Sequence, residues 1–307
     1  DLPVVDKTAM MSNFDDYVTD RKVRMADIRR FISDTSNIGR DFLGKYLVAT
    51  TSGSTGVPSV VLHDGNSLRA ASIMTMARYM KFRFPLAAFC VDDVFLIENG
   101  NIRSNIRKMP FMSKRIFLVD AKASREDICE RVNKIRPKVI VGYAGSIELL
   151  ADEALAGNIS IKPAQILTSG EYLTPATRAK IKRAFPRADV RSIYGCTEGN
   201  VIAYECSHRH MHVNDDYFIV EPVDALDRPV QDGVISDSLL LTCLSNFVQP
   251  IIRFRMTDRI IMHHDPCPCG RCGAWFEVEG RSNDVLVMKG SDGSDVRIAP
   301  IPLTFVV

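Results

Sequence analysis

The hydrophobic pattern divides the chain into two parts of different character. Between residues 45 and 194, short apolar runs alternate with amphipathic stretches, which predict strands and helices respectively. Repeated strand–helix–strand units indicate a parallel sheet with helices on its faces. After residue 200 the segments are short and β-rich, with turn residues between them, and they predict a smaller β-rich subdomain.

The pattern also predicts individual elements and boundaries. The predicted helices are 15–32, 67–80, 124–135, 146–156 and 175–185, with Ser124 and Thr174 as N-caps. The predicted strands are 45–50, 59–62, 94–97, 116–119, 139–141, 165–168, 190–194, 217–221, 238–244, 251–255 and 259–263. We therefore predict an α/β core over 1–200, a β-rich subdomain over 201–280, and a hinge with the start of a truncated C-terminal region over 281–307.

Composition excludes several classes of protein. Hydrophobic residues make up 46% of the chain and charged residues 25%, as in ordinary globular proteins and unlike disordered or collagen-like chains. The net charge of +2 lacks the basic bias of proteins that grip nucleic acid, so we expect neither nucleic acid nor a membrane surface as partner. No apolar run approaches the roughly 18 residues of a membrane-spanning helix.

The cysteines indicate a reducing compartment, and we predict a cytoplasmic protein without a signal peptide. Four of the eight stand singly in apolar or mixed segments and are predicted to be small buried hydrophobes: Cys90, Cys129, Cys196 and Cys243. The remaining ones lie with most of the histidines between residues 206 and 272. Those residues are Cys206, His208, His210, His212, His263, His264, Cys267, Cys269 and Cys272.

Thiolates and imidazoles together suit structural Zn²⁺. The alternation of His208, His210 and His212 would place all three imidazoles on one face of an extended segment. Which of these histidines is a ligand, and whether Cys272 is one, stays open at this stage. The alternative is a loop of free thiols and surface histidines.

A loop rich in hydroxyls and glycines, Thr50–Pro58, follows a predicted strand. Its backbone N–H groups and hydroxyls can cradle phosphate oxygens, although the spacing and the lysine of a Walker A loop are absent. Taken alone, it is equally well explained as a surface turn.

Three further motifs carry polar groups. Tyr194–Gly199 places Thr197 and Glu198 directly after a strand, where a hydroxyl can meet phosphate and a carboxylate can bind Mg²⁺. Arg253–Asp258 ends in a carboxylate that can accept bonds from ribose hydroxyls, and Glu279–Asp284 has the glycine and charges of a hinge. The plainer alternatives are a capped turn, a surface ion pair and an ordinary turn.

The order and spacing of these motifs, with Ser169–Glu171 among them, resemble the acyl-adenylate-forming superfamily, and within it the phenylacetate–CoA ligase family most. The resemblance covers nearly the whole chain. Further segments support it: Val141–Ala144, Cys206, His212–Asp216, Glu221–Asp224, Gln249–Arg255, Cys267–Arg271 and Glu279–Arg281.

The resemblance implies a role for each matching residue. The loop residues Ser52, Gly53, Ser54, Thr55 and Gly56 would close over the β- and γ-phosphates of ATP. Ser169, Gly170 and Glu171 would line the adenine pocket beside Tyr194 and Gly195. Thr197 would hold the α-phosphate, Glu198 the Mg²⁺, Asp258 the ribose hydroxyls, and Arg281 the ribose or phosphate. Tyr143, Ala144 and Gly195 would contact the carboxylate substrate, and Cys206, His212, Cys267 and Cys269 would bind structural zinc.

The resemblance therefore implies ATP-dependent activation of a carboxylic acid to an acyl-adenylate, followed by thioester formation with coenzyme A. Thr197, Glu198 and Arg281 would be the catalytic residues. Aromatic residues near the expected pocket favour an aryl acid. They are Phe89, Phe95, Tyr143 and Tyr172.

Two alternatives remain. One is a stand-alone adenylating enzyme that loads a carrier protein or an amine, and the other is a zinc-stabilised nucleotide-binding module without catalysis. Members of the family often form dimers. They also carry a C-terminal lid with a catalytic lysine, whereas this chain ends at Val307, so we expect a fragment of a longer enzyme. Asn283 stands where many relatives have an acidic hinge residue, and Asp284 follows it.

Overall fold

The computed structural model describes residues 2–51, 59–75, 78, 84–90, 95, 97–108, 113–281, 286–289 and 295–298; for 97–99, 105, 286–289 and 295–298 it describes the backbone. The helices are α1 (Lys7–Ser12), α2 (Phe14–Tyr17), α3 (Met25–Ile32), α4 (Gly65–Met74), α5 (Ile97–Lys108), α6 (Arg125–Ile135), α7 (Ala144–Leu155) and α8 (Pro175–Ala184). The strands up to residue 205 are β1 (Asp41–Phe42), β2 (Tyr46–Thr50), β3 (Val60–His63), β4 (Leu86–Cys90), β5 (Ile116–Asp120), β6 (Val139–Gly142), β7 (Gln165–Thr168), β8 (Asp189–Cys196) and β9 (Asn200–Glu205). The later strands are β10 (Met211–Val213), β11 (Phe218–Val223), β12 (Ser238–Cys243), β13 (Phe254–Met256), β14 (Asp258–His263), β15 (Trp275–Arg281), β16 (Leu286–Lys289) and β17 (Asp295–Ile298).

The chain forms two compact units. The first, here called the α/β unit, comprises Asn13–Tyr204 and Ser245–Pro250. The second, here called the β-rich unit, comprises Asp1–Ser12, Glu205–Leu244 and Ile251–Val307.

The main sheet of the α/β unit is built mostly from parallel strands. Its order is β5-β4-β6-β7-β8-β9, in which β4 is parallel to β5 and β6, and β6, β7 and β8 continue in parallel. Only the last pair of this series, β8 and β9, is antiparallel. A separate antiparallel sheet has the order β1-β2-β3.

Helices cover both faces of this sheet. On one face α6, α7 and α8 contribute the fully buried Val132, Ile147 and Ile181 to a core that includes Ile140 of β6. On the other face Ile102 of α5 packs against the apolar side chains of β4 to β6. The predicted fold class, a parallel-rich sheet with helices on both faces, is therefore confirmed.

The direction of strand addition reverses at β4. The chain runs from β4 to β5 on one side and then returns to place β6 on the other side of β4. In open α/β sheets such a reversal leaves a crevice at the carboxyl ends of the strands, where ligands bind. At the end of β6 a side chain on Gly142 would approach Cβ of Phe89 to 2.8 Å, so glycine allows β4 and β6 to pack closely there.

The β-rich unit consists of antiparallel sheets, as the pattern after residue 200 predicts. Strands β11, β12 and β13 form one sheet, and β10, β15 and β14 are antiparallel neighbours in that order. Strands β16 and β17 pair separately, and Val5 forms an isolated bridge with Phe254.

Most of the predicted elements are present. Helices α6, α7 and α8 and strands β2, β3 and β5 to β8 occupy the expected segments, with ends shifted by a few residues. Ser124 and Thr174 cap their helices: each hydroxyl accepts a backbone N–H three residues on, from Asp127 at 3.1 Å and from Thr177 at 3.0 Å.

The predicted helix 15–32 is wrong. The chain forms α2 and α3 with an irregular segment between them, because two aspartates bind the backbone N–H groups that a continuous helix would use. The carboxylate of Asp15 accepts from the amide of Met25 at 2.7 Å, and that of Asp20 accepts from Lys22 at 3.0 Å.

The predicted strand 94–97 is also wrong, since Ile97 begins α5; Val94 lies outside the described residues. The strand at this place in the sheet is β4, whose sequence Leu-Ala-Ala-Phe-Cys contains no β-branched residue. Helix 67–80 begins earlier, at Gly65, and its regular part ends at Met74. The predicted strand 251–255 is regular only from Phe254.

The single cysteines follow expectation in part. All eight cysteines lie in the described part of the chain and are free thiols; Cys90 and Cys243 are buried, whereas Cys129 and Cys196 are half-buried. Among the described residues, none of the helices combines the length and the apolar character needed to cross a bilayer.

The backbone groups of β3 that face away from β2 form hydrogen bonds with the segment Ser245–Pro250. The side-chain oxygen of Gln249 accepts from the amide of Leu62 at 2.8 Å, and its Nε2 donates to the carbonyl of Val60 at 3.3 Å. Asn246 donates to the carbonyl of Leu62 at 2.8 Å. Gln249 is fully buried, so these bonds are made away from water.

We expect Gln249→Ala to lower the free energy of unfolding by about 2–4 kcal/mol, because two buried backbone groups lose their partners. Urea unfolding measures the effect. Gln231→Ala is the matched control, since Gln231 is exposed, and it should change the same quantity by less than about 0.5 kcal/mol. Equal effects of the two substitutions would contradict the role of Gln249.

Candidate functional site

The ends of β6 and β7 bring several predicted site residues together. The amide of Ser169 donates to the carbonyl of Gly142 at 3.0 Å, which ties the two strand ends to each other. The carboxylate of Glu171 accepts from the amide of Gly145 at 2.8 Å, in the first turn of α7. A carboxylate is favoured at this end of a helix by the helix dipole.

Gly170 and Tyr143 are in close contact at this edge. Gly170 has φ +76°, a conformation that glycine adopts at no steric cost, and a side chain there would lie 3.1 Å from the ring of Tyr143. Tyr143 directly precedes α7, and Ala144 is the first, buried residue of that helix. Tyr143, Ala144, Gly170 and Glu171 therefore form one cluster at the crevice between β4, β6 and β7.

Thr197 and Glu198 lie in the turn of the β8–β9 hairpin. Cys196 pairs with Asn200, so the turn contains the three residues between them. Any side chain on Gly195 would collide with the carbonyl oxygen of Asn200, so only glycine allows this hairpin to close. The amide of Gly199 donates to the sulfur of Cys196 at 3.2 Å. This edge of the sheet also carries the ends of β6 and β7, because all three strands are parallel.

The carboxylate of Glu198 is buried and is held by Ser59. The hydroxyl of Ser59 donates to Oε1 of Glu198 at 3.3 Å. Ser59 is in turn bonded to Thr51, whose hydroxyl accepts from the amide of Ser59 at 2.9 Å. Thr51 and Ser59 stand on either side of the predicted phosphate-loop residues in the sequence. The loop residues Ser52, Gly53, Ser54, Thr55 and Gly56 themselves lie outside the described residues.

His63 is a polar residue of this site that the sequence analysis missed. Its ring is fully buried at the end of β3. Nε2 lies 2.8 Å from the carbonyl oxygen of Thr197, and Nδ1 lies 2.9 Å from the hydroxyl of Ser67. His63 belongs to none of the sequence motifs. Its contact with Thr197 exists only in the folded chain, so the sequence offers no signal for it.

Burial lowers the pKa of His63 to about 4, although the bond to Thr197 and the charge of Asp64 act in the opposite direction. The imidazole is therefore neutral at pH 7. A neutral ring that meets a carbonyl through Nε2 must carry its proton there.

Asp258 and Arg281 lie together in the β-rich unit. They are cross-strand partners in β14 and β15, and Nε of Arg281 lies 3.5 Å from Oδ1 of Asp258. The arginine side chain is 54% exposed, so the guanidinium remains accessible to an anion. Their predicted contacts with ribose and phosphate stay predictions.

The four predicted zinc ligands lie close together in the same unit. The ligand atoms of Cys206, His212, Cys267 and Cys269 all lie within 4.8 Å of one another. The sulfurs of Cys206 and Cys267 are 3.8 Å apart, and Nε2 of His212 is 3.4 Å from the sulfur of Cys269. Three thiols and one imidazole at this spacing match the donor set of a tetrahedral zinc site.

The electrostatics of this group favour a bound cation. Burial raises the pKa of the Cys267 thiol to about 11. Burial acts in the same direction on Cys269, but hydrogen bonds from the backbone of Arg271 and from the neighbouring thiols outweigh it and lower the pKa. Burial also lowers the pKa of His212, which keeps the imidazole in its neutral, metal-binding form. A divalent cation would allow the crowded thiols to ionise together.

The alternation of three histidines does not place them on one face. Only Met211–Val213 is extended, and the residues before it form a turn that leaves His208 exposed. His210 lies outside the four-ligand group, with Nδ1 3.2 Å from the sulfur of Cys267. Cys272 is exposed and is not part of the group either.

The only tryptophan of the chain lies beside this group. Trp275 stacks between the rings of His210 and His263, at centroid distances of 3.8 and 4.0 Å. It packs with Cys206 and Cys267 in one small apolar cluster. Its emission therefore reports on the state of the thiols.

Comparisons with known proteins agree with the resemblance seen in the sequence. No protein-family model matches the chain. Over 167 residues it is 26% identical to the phenylacetate–coenzyme A ligase of Thermus thermophilus, an alignment covering 52% of this chain and 37% of that protein.

Solved structures share the fold over nearly the whole chain. The structure of 2-hydroxyisobutyryl-CoA ligase with 2-HIB-AMP, in the postadenylation state, aligns with a TM-score of 0.72 at 20% identity and covers 99% of this chain and 62% of that one. Anthranilate CoA ligase with anthranoyl-AMP aligns with a TM-score of 0.59 at 15% identity, covering 83% of this chain and 50% of that one. The chain thus spans between about a third and two thirds of the length of these relatives.

We expect the stability of the protein to fall as the pH is lowered, partly through His63. The folded-state pKa of about 4 lies below the unfolded value of 6.5, so the unfolded chain binds more protons between these values. The contribution of His63 to the free energy of unfolding is complete above pH 6.5 and is lost as the pH falls towards 4. The loss between pH 7 and pH 5 is about 2 kcal/mol.

Urea unfolding of the parent and His63→Gln at pH 7 and pH 5 measures this difference, because glutamine does not titrate. The variant should lose about 2 kcal/mol less than the parent over this interval. His264→Gln removes an exposed imidazole and is the matched control. A pH dependence that is the same in His63→Gln and in the parent would contradict the assignment.

Proposed function

We propose that this chain, which resembles phenylacetate–coenzyme A ligases and has the fold of adenylate-forming ligases, belongs to an enzyme that activates a carboxylic acid with ATP. The observation that carries the proposal is the buried Glu198 carboxylate at the carboxyl edge of the parallel strands, held by Ser59 at one end of the hydroxyl- and glycine-rich loop. A carboxylate beside a phosphate-binding loop is the arrangement that Mg²⁺·ATP requires.

The proposed reaction joins the acid to AMP. A carboxylate oxygen of the substrate attacks the α-phosphorus of ATP, the bond from that phosphorus to the bridging oxygen breaks, and pyrophosphate leaves. Negative charge is redistributed over phosphate oxygens, so the protein has to position and stabilise rather than supply a nucleophile. Thr197 would donate its hydroxyl to the α-phosphate, and Glu198 would hold the Mg²⁺ that neutralises the phosphates.

The cluster at the ends of β6 and β7 is proposed to hold the adenine and the acid. Gly170 and Glu171 would border the base, and the ring of Tyr143 would lie against the acid. Phe89 is buried beside Gly142 at the same edge, so the aromatic residues near this end favour an aryl acid. The relatives named as ligases of phenylacetate and anthranilate support this choice.

Coenzyme A is proposed as the acceptor of the acyl group, because the similar proteins are named as coenzyme A ligases. The thioester forms when the thiol attacks the acyl carbon of the adenylate and AMP leaves. Loading of a carrier protein or an amine is the alternative that product analysis would reveal.

Calorimetry of this chain with ATP and Mg²⁺, with GTP as control, tests the proposal directly. Saturable binding that is selective for ATP supports it. A chain that binds neither nucleotide would overturn the assignment of the site, whereas selective binding without pyrophosphate exchange in any longer form of the protein would favour the non-catalytic module.

We expect Glu198→Gln to weaken Mg²⁺-dependent ATP binding by about 10–100-fold, because the amide is a poorer ligand for a hard cation. The isosteric change should leave the melting temperature almost unaltered. Glu130→Gln on the exposed face of α6 is the matched control. Unchanged ATP binding by Glu198→Gln would remove this residue from the site.

We further propose that Cys206, His212, Cys267 and Cys269 hold a structural Zn²⁺. Four protein ligands leave no open coordination position, and adenylation does not need zinc. His210, which lies against Cys267, would donate a hydrogen bond to the bound thiolate.

Removal of the metal by a chelator should lower the melting temperature and change the emission of Trp275 together, because both depend on the same cluster. Cys267→Ser combined with Cys269→Ser should abolish stoichiometric zinc in the purified protein. Cys272→Ser, an exposed thiol outside the group, is the control and should keep the zinc. A protein whose stability and emission do not respond to chelation would contradict the structural role.

A further inference from the structure

A chain of hydrogen bonds runs from helix α4 to the turn that carries Thr197 and Glu198. Ser67 of α4 is bonded to Nδ1 of His63 at 2.9 Å, and Nε2 of His63 is bonded to the carbonyl of Thr197 at 2.8 Å. All three groups belong to the α/β unit. His63 is fully buried and Ser67 is 4% exposed, so water does not compete for these bonds.

The direction of each bond follows from the partners. A carbonyl oxygen can only accept, so Nε2 of His63 carries a hydrogen. The neutral ring then has a bare Nδ1, which accepts the hydroxyl hydrogen of Ser67. The ring is thereby held in one tautomer and one orientation. Asp64 is the charged group next to it in sequence, and its carboxylate is engaged by the amides of Asn66 and Ser67 at the start of α4.

Strand β3 thus holds the turn at two points. At the beginning of the strand Ser59 bonds the carboxylate of Glu198, and at its end His63 bonds the carbonyl of the preceding residue. One carbonyl and one carboxylate of the turn are thereby both held by residues of this segment.

The neutral state of the histidine has a chemical consequence. A lysine or arginine at this place would also donate to the carbonyl, but its charge would attract the nearby Glu198 carboxylate and compete with a metal ion for it. A neutral donor fixes the backbone without that competition.

We propose that His63, oriented by Ser67, is a positioning residue that holds the Thr197–Glu198 turn in the geometry needed to bind Mg²⁺·ATP. The inference rests on the proposed function of this turn. It predicts a change in the Mg²⁺ requirement for ATP binding, which a purely structural histidine would not produce.

The first measurement is the Mg²⁺ concentration that gives half-maximal ATP binding, determined by calorimetry on the parent and on variants. His63→Met fills the space without a donor and should raise this concentration about tenfold, the equivalent of one lost hydrogen bond. His63→Gln retains an N–H donor and should recover part of the loss. Ser67→Ala, which leaves the ring in place but removes its partner, should give a smaller rise in the same direction.

Val132→Ala is the matched control for lost stability. Val132 is fully buried in the core under α6, so its truncation lowers the melting temperature without touching the turn. It should leave the Mg²⁺ requirement unchanged. If His63→Met and Ser67→Ala behave like Val132→Ala, the positioning role is overturned, even if all of these proteins bind ATP.

The second measurement needs no nucleotide. Two-bond ¹H–¹⁵N spectra of the parent report the protonation of each ring nitrogen, and the signals of His63 are identified by their loss in His63→Gln. We expect a hydrogen on Nε2 only, constant between pH 5.5 and 8, and a shifted Nδ1 signal in Ser67→Ala. A hydrogen on Nδ1 at pH 7 would overturn the inference by itself.

The two measurements separate the two proposals. A parent chain that binds no ATP overturns the proposed function, and the positioning role with it, whatever the tautomer. A parent that binds Mg²⁺·ATP while the His63 and Ser67 variants show the requirement of the parent overturns the positioning role alone.

Discussion

The position of β4 in the main sheet is the constraint on which the arrangement of the α/β unit depends. Because β5 and β6 lie on opposite sides of β4, the helices that follow are distributed over both faces, and the carboxyl ends of β4 and β6 cannot both be covered by the same connection. The polar segments after β6, β7 and β8 meet at one edge because these strands run parallel. Gly142, Gly170 and Gly195 make that meeting possible, since a side chain at any of them would contact Phe89, Tyr143 or Asn200 too closely.

The two candidate sites use buried polar groups in opposite ways. In the hairpin turn Ser59 donates to the carboxylate of Glu198 and the neutral His63 donates to the carbonyl of Thr197, so neither partner brings a positive charge that would compete with the proposed Mg²⁺. In the β-rich unit burial, together with the adjacent Cys206, raises the pKa of the Cys267 thiol, and a divalent ion held by the proposed ligands would offset this cost of ionisation. At both proposed sites the positive charge would come from the bound cation.

Residues with strong local signals could be predicted from the sequence, and those defined by distant partners could not. Ser124 and Thr174 cap helices through bonds made within three residues, so their sequence context is sufficient. The break between α2 and α3 depends on Asp15 reaching Met25, which interrupts an otherwise helical apolar period. Strand β4 is hidden because alanines replace the β-branched residues of its neighbours, although the direction of strand addition reverses at it. The family resemblance, which rests on the order of the motifs, implied the ligand set Cys206, His212, Cys267 and Cys269. The role of His63 could not be predicted, because it depends on a bond to Thr197, far along the chain.

The hydrogen bonds between Gln249 and the backbone of β3 have a consequence for the protein during its synthesis. The hydrogen-bond partner of the Leu62 amide lies 187 residues further along the chain. It belongs to the segment Ser245–Pro250, which stands in the sequence between two stretches of the β-rich unit. At ordinary translation rates this interval lasts roughly 10 to 40 s. Until Gln249 has been synthesised, the outer edge of this strand cannot make the hydrogen bonds that it has in the folded chain.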